Sequence, residues 1–403
     1  MHNNYGNSHT RVTYRRNASF CERIQNSLVA FVVGLGLLVA SSGLLYWNEG
    51  RAVQTAKSLD EGLSVVIPLK STDVAFESNN GKLVYLTATL HTDKIMSDPD
   101  YGINLHVVKL KRSVEMYQWV EQESKREYDE GGQTRVETSY SYSEEWRSEL
   151  VSSSSFHSLL GHENPGSMQV TSKVFTADSV QVGNFHLSKN LIDKIKQYKP
   201  LGQELINIPP NSGLEFYNGY LYQSNNPRRP QVGDIRIQFE YTGISGKSSL
   251  GDPDTVSVVA KQVGLQLTRY ETDAGDDLEL LYHGEMSAKK MFEEEHNQNI
   301  MMTWGIRFAG WLLMFVGFGC LTSIITTLVD WLPIVGELVA MGVGAMNAAL
   351  SISLSITIIA IGWIRYRPML GFGLLALSFL PFILSKIRSR GRPSTNYQRD
   401  VYS

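Results

Sequence analysis

The chain has 403 residues, 42% of them hydrophobic and 19% charged, with a formal net charge of −3. As an average this is an ordinary soluble protein without the basic excess of a nucleic-acid-binding chain, but the average mixes residues suited to two different solvents. Only two cysteines occur, Cys21 and Cys320, so Trp47 to Met302 can hold neither a disulfide nor a cysteine-based zinc site.

Residues 1–26 are polar and carry Arg11, Arg15, Arg16 and Arg23 against the single acid Glu22, which predicts a basic, flexible tail. Ser27 to Trp47 is uncharged and ends on Tyr46 and Trp47, residues suited to a membrane interface. It reads as the first membrane span, an uncleaved anchor rather than a signal peptide cut near Ala40 and Ser42. Ala52, Val53, Ala56 and Leu59 then follow helical spacing, a stalk that Gly62 is expected to break.

Beyond the stalk the pattern turns to strands. Lys82 to Leu90 is rich in β-branched and aromatic residues, Val114 to Val120 alternates, and Glu130-Gly131-Gly132-Gln133 turns the chain back along Thr134 to Tyr142. Ser152 to Ser155 and Asn164-Pro165-Gly166 mark loops, and Pro209-Pro210 and Pro227 to Pro230 mark breaks. Val180 to Leu187, Val232 to Tyr241, Thr255 to Val263 and Leu278 to Tyr282 read as further strands, with one short helix over Leu191 to Tyr198. Ser287 offers an N-cap for a helix over Ala288 to Asn299 that leads towards Trp304. Residues 48–303 are therefore expected to form one α+β, strand-rich domain.

Trp304 to Leu328 carries one charge, Arg307, close enough to its end to reach the headgroups, and matches the roughly 20 apolar residues that cross a bilayer. Residues 338–363 contain no charge and form a third apolar segment; residues 369–384 form a shorter fourth, either spanning or re-entrant with the third. The fold class expected is thus a membrane protein with four helical segments, one N-terminal and three C-terminal, around a large lumenal domain. The N-terminal arginines and the 385–403 tail, with Lys386, Arg388, Arg390 and Arg392, place both termini in the cytoplasm. This leaves Arg365 and Arg367 on the lumenal side and only acids in the Asp330 to Glu337 turn, a conflict that re-entrant packing would remove.

Particular stretches resemble a known family. Asn48-Glu49-Gly50-Arg51-Ala52 after the first span, Ser97-Asp98-Pro99-Asp100-Tyr101-Gly102, Val107 to Arg112, Val114 to Glu121, Glu145 to Glu149, Val232 to Arg236 and Leu328-Val329-Asp330-Trp331 are similar to the transmembrane protein 43 family, also called LUMA. The resemblance covers nearly the whole chain and departs in the N-terminal tail, the Gly243 to Asp254 loop and the last dozen residues. It implies a four-span protein of the endoplasmic reticulum and inner nuclear membrane that self-associates and contacts emerin-like and lamin partners.

Nothing in the motifs argues for an enzyme, a cofactor or a metal. His157 and His162 lack the spacing that sets two ligands on one helical face, and Asp252-Pro253-Asp254 and Asp276-Asp277 lack the alternating oxygens of a calcium loop. Glu293-Glu294-Glu295-His296 reads as a solvated helix face. The apolar segments say more. Gly36 with Ala40 and Gly344 with Ala348 are small-residue pairs that let helices approach, and Asn347, Ser351 and Ser355 form a polar stripe suited to interhelical hydrogen bonds. Cys21, between Arg16 and Arg23 and just before the first span, sits where S-palmitoylation occurs. The expected function is a self-associating membrane scaffold. The alternative is a channel or transport-related protein that uses the polar stripe.

Overall fold

The computed structural model describes residues 8–208, 212–329 and 333–364, with 369, 372 and 373. Its contacts divide the chain into two compact units: 1–17 with 61–272 and 277–292, and 18–60 with 273–276 and 293–403.

The first unit is strand-rich. Its principal strands are β1 (Ser8–Arg16), β2 (Leu83–His91), β3 (Val107–Glu130), β4 (Gln133–Arg147), β5 (Leu214–Tyr217), β6 (Tyr220–Gln223), β7 (Ile235–Ile244), β8 (Thr255–Val263), β9 (Gln266–Thr268) and β10 (Leu280–His283). One sheet runs β1-β4-β3-β7-β6-β5, all antiparallel. In the other, β8 pairs with β2, β9 and β10. Alternating apolar side chains from both sheets make one core. Val114 and Met116 of β3 lie beside Ile235 and Ile237 of β7, and Leu86 of β2 is in register with Val258 of β8. Each such fully buried side chain is worth about 1.5–3 kcal/mol over leaving it in water. Gln118 shares the buried face of β3 because its amide donates to the Glu149 carbonyl and accepts from the Val151 N–H.

The hairpin forms where it is expected. Glu130 faces Gln133 across Gly131 and Gly132, whose φ values of 58° and 86° are the positive pair a two-residue turn between twisted strands requires. Other elements differ from expectation. The helix over Leu191 to Tyr198 is only one turn, α2 (Lys189–Lys194), capped by Ser188, whose hydroxyl accepts from Leu191 N–H at 3.2 Å. The strand expected over Val180 to Leu187 is broken by Gly183 into a small hairpin, and the strand expected from Val232 begins at Ile235.

The expected flexible tail contains β1, which pairs with β4 from Ser8 opposite Ser141 to Arg16 opposite Gln133. Asn17 continues the contact, donating to Asp129 at 3.1 Å and accepting from Thr134 at 2.6 Å. Sequence reasoning misses this strand because nothing on it is buried. It is held by its ladder and by exposed side-chain contacts.

His283 on β10 is half-buried, and its Nε2 has no hydrogen-bond partner among the described residues. Burial, more than any neighbouring charge, pushes its pKa down from the usual value of 6.5. The unfolded chain therefore takes up a proton that the folded chain resists, so stability falls as pH drops below the unfolded value near 6.5. Thermal unfolding of the full chain between pH 7.5 and 5 should show this loss, and His283→Gln should flatten it. An unchanged slope in that variant would remove His283 as the cause.

The second unit is helical: α1 (Phe20–Val65), α3 (Ala288–Val329) and α4 (Pro333–Ile364), the first and second contributing their residues 20–60 and 293–329. All three are long and apolar enough to cross a membrane. The segment at 369–384 lies outside the described residues but for three of its positions. At the start of α1, Ser19 N–H donates to Glu22 and Glu22 N–H to the Ser19 hydroxyl, a capping box. Gly62 does not break α1, which runs on to Val65; within the first unit a Cβ there would stand 2.3 Å from Leu278 Cδ1 and 2.9 Å from Phe292, so glycine answers to close packing. In the second unit a Cβ on Gly34 would stand 2.7 Å from the Gly317 carbonyl oxygen and one on Gly310 2.6 Å from Leu45 Cδ2, so α1 and α3 pack closely at both points.

Candidate functional site: a polar joint among apolar helices

Asn48-Glu49-Gly50-Arg51 follows the uncharged stretch of α1 without a break in the helix. Asn48 and Arg51, three apart, share one face while Glu49 is turned towards another. On α3, Asn299, Thr303 and Arg307 recur every four residues and line a single face. These faces meet.

Glu49 is 1% exposed and Arg307 14%. The guanidinium grips the carboxylate with both arms, Nε to Oε1 and Nη2 to Oε2, each at 2.7 Å. Trp363 of α4 donates its indole N–H to the same Oε2 at 2.5 Å, so one carboxylate joins three helices. The rings of Trp304 and Trp363 lie 4.8 and 5.8 Å from the guanidinium, close enough for cation–π attraction. Helix α4 comes so near that a Cβ on Gly362 would stand 2.9 Å from the Glu49 Cβ.

A second layer extends the joint. Arg51 donates to Asn299 and Thr303, both at 2.9 Å, Asn48 donates to the Thr303 carbonyl at 3.2 Å, and Asn299 donates back to the Ala52 carbonyl at 2.9 Å. A cavity of about 490 Å³ opens beside these residues, walled by Ala52, Val53, Ala56, Ile300, Trp304 and Trp363. Both carboxylate oxygens of Glu49 are engaged and Arg307 is in a two-armed grip, while Lys57, Asp60 and His296 also line the cavity, His296 lying 3.2 Å from Asp60. What the joint supplies is geometry, a fixed depth and rotation for three helices. Arg307 is thus buried against Glu49. Opposite charges at corresponding ends of two apolar runs, Glu49 just after Trp47 and Arg307 just after Trp304, were the available signal.

The residues singled out from sequence scatter around this joint. Asn347 donates to the Thr322 hydroxyl at 2.8 Å, Ser355 contacts the Met314 sulfur at 3.2 Å, and Ser351 bonds the Ala348 carbonyl at 2.9 Å, so the stripe faces the bundle's own interior. Gly36 and Gly344 have open space where a Cβ would go, and Ala40 is exposed. Cys21 is exposed on the first turn of α1.

In the first unit His157 stacks between Tyr140 and His9, with ring centroids 4.2 and 4.9 Å away. His162 stacks on Tyr142 at 3.9 Å and meets Trp119 edge-on. The Tyr142 hydroxyl donates to Glu121 at 2.6 Å, and burial together with that bond pushes its pKa up to about 12. These histidines are aromatic packing. No group of three His, Cys, Asp or Glu side chains among the described residues could hold a metal ion.

The family model for Transmembrane protein 43 matches residues 116–368. The chain is 44% identical over 381 residues to Transmembrane protein 43 of Rattus norvegicus and 42% identical to that of Homo sapiens, in each case over 94% of this chain and 95% of the relative. It is 34% identical to the Transmembrane protein 43 homolog of Drosophila melanogaster over 91% of this chain and 96% of that protein. No solved structure matches it. With three membrane-length helices, a strand-rich unit and these likenesses, the chain belongs to the transmembrane protein 43 family of membrane proteins.

Proposed function

We propose that this protein is a multi-pass scaffold of the endoplasmic reticulum and inner nuclear membrane, with lumenal strands, cytoplasmic or nucleoplasmic tails, and emerin-like and lamin partners. The observation that carries the reading is the joint itself: α1, α3 and α4 are held together by a buried two-armed ion pair and an indole hydrogen bond, while Gly36, Ala40 and Gly344 stay on faces with open space. Small residues on free helix faces let copies pack closely in lipid, where interhelical contacts are worth about 1 kcal/mol each.

The test is crosslinking in membranes. Gly36→Leu with Gly344→Leu should thin the oligomer ladder of the full chain and leave monomer unfolding unchanged, since neither position touches a neighbouring side chain. The same ladder in variant and wild type would move self-association away from these faces, and a protein that runs only as monomer in both would end the scaffold reading.

A further inference from the structure

We propose that the outer edge of β4 is a docking site for an extended, arginine-bearing segment of a partner polypeptide, and that β1 is a stand-in that occupies the edge only when α1 has not crossed a bilayer. The inference rests on the reading of α1 as a spanning helix. Residues 8–16 precede the uncharged stretch Ser27 to Trp47 and β4 follows it, so a crossing by α1 puts the two strands on opposite faces of the membrane. One chain cannot hold both the crossing and the ladder.

When β1 leaves, nine residues of β4, Gln133 to Ser141, lose their outer partner. An unpaired strand edge of that length is a ready template for another chain, bound through main-chain hydrogen bonds. The side chains indicate which chain. Between Glu121 and Ser141 the hairpin carries Glu121, Glu123, Glu127, Asp129, Glu130 and Glu137 against Lys125, Arg126 and Arg135, whereas β1 carries Arg11, Arg15 and Arg16 and no acid. The residues of β4 on the face shared with Arg15 are short, Thr134, Val136 and Thr138, so a long cation on the docked strand can reach over them to the acids of β3. Arg15 does so, its guanidinium 3.9 Å from Glu127. His9 adds a ring contact with His157 at 4.9 Å.

Two exposed hydroxyls add to the hold, Thr10 lying 3.2 Å from the Ser139 hydroxyl and Thr13 donating to the Val136 carbonyl at 3.5 Å. All nine residues of β1 are exposed, including Val12 and Tyr14, so it contributes no core and its removal opens no cavity. A strand held by its ladder and by exposed side-chain contacts can be exchanged for another of the same chemistry, and a second copy of this chain cannot supply one because its own tail is carried to the same far side.

The chain's sparse cysteines make the test direct. In a Cys21→Ser background, Thr13→Cys and Val136→Cys face each other in the ladder. In sealed microsomes the cysteine at 13 should label with an impermeant maleimide, the one at 136 should be protected, and no 13–136 disulfide should form under mild oxidant. After the microsomes are opened, a synthetic peptide of residues 8–16 with Thr13→Cys should form a mixed disulfide with the Val136→Cys chain. Added salt should weaken that capture, and Arg15→Glu in the peptide should reduce it about fivefold, the scale of one exposed ion pair turned repulsive. Full 13–136 disulfide in the membrane-inserted chain, with both positions labelled from one side, would overturn the proposal together with the crossing of α1. Opposite-side labelling without peptide capture would overturn the docking site and leave the crossing standing.

Discussion

Arg307→Ala should destabilise the helical unit by about 3–5 kcal/mol, the cost of leaving a buried charge without its partner. Glu49, 1% exposed in the intact joint, would keep Trp363 as its remaining donor among the bonds described. Glu49→Gln should cost less, because the amide keeps one acceptor for the indole. The double variant Glu49→Gln with Arg307→Ala should recover much of the loss, since replacing both charges removes the desolvation penalty along with the attraction. The aggregation temperature of the full chain in detergent reports all three. If the losses of the single variants simply add in the double, the two side chains are not coupled and the joint is not what fixes the helices.

How much of this was readable in advance depended on whether an element carries its own stabilisation. The apolar stretches announce themselves because a membrane demands length and lack of charge from one continuous segment. The β3–β4 hairpin was legible because Gly131-Gly132 supplies the turn and Val114, Met116 and Gln118 supply the buried face. Strand β1 was not, because a polar, arginine-rich segment with no apolar face looks unfolded until the hairpin it pairs with is known. Gly62 was misread for a related reason. A glycine that breaks a helix and one that admits a neighbour look the same in sequence, and Leu278 and Phe292 lie more than two hundred residues further on.

The joint shows the same limit. Asn48-Glu49-Gly50-Arg51 could be quoted as a family likeness, yet its partners, Asn299, Thr303, Arg307 and Trp363, come from two other helices. Ser19-x-x-Glu22 is the opposite case. That capping box is local, fully visible in the sequence, and marks a helix start seven residues earlier than the hydropathy edge at Ser27. Hydropathy locates where a helix meets lipid. Capping locates where the helix begins.

Within the strand-rich unit the largest single loss should follow Asp98→Ala. Arg112 crosses from β3 to hold both oxygens of Asp98, at 2.9 and 3.0 Å, and one oxygen of Asp100 at 3.0 Å, while its Nε donates to the Thr171 carbonyl at 3.2 Å. Tyr101 lies under the guanidinium, 5.4 Å from ring centre to Cζ. The two aspartates are not equivalent. The Asp98 side chain has no exposed surface, and burial pushes its carboxyl up against the pull of Arg112, whereas the Asp100 side chain is 68% exposed. Removing Asp98 leaves a buried guanidinium with one solvent-washed carboxylate and the Thr171 carbonyl, a cost of about 3–5 kcal/mol; removing Asp100 takes away a screened contact worth about 1 kcal/mol or less. Urea unfolding of the full chain, followed by protease resistance of residues 61–292, separates the two. A loss on Asp100→Ala as large as on Asp98→Ala would mean that the exposed carboxylate is the one Arg112 depends on, and that the Ser97 to Gly102 turn is held from outside and not from within.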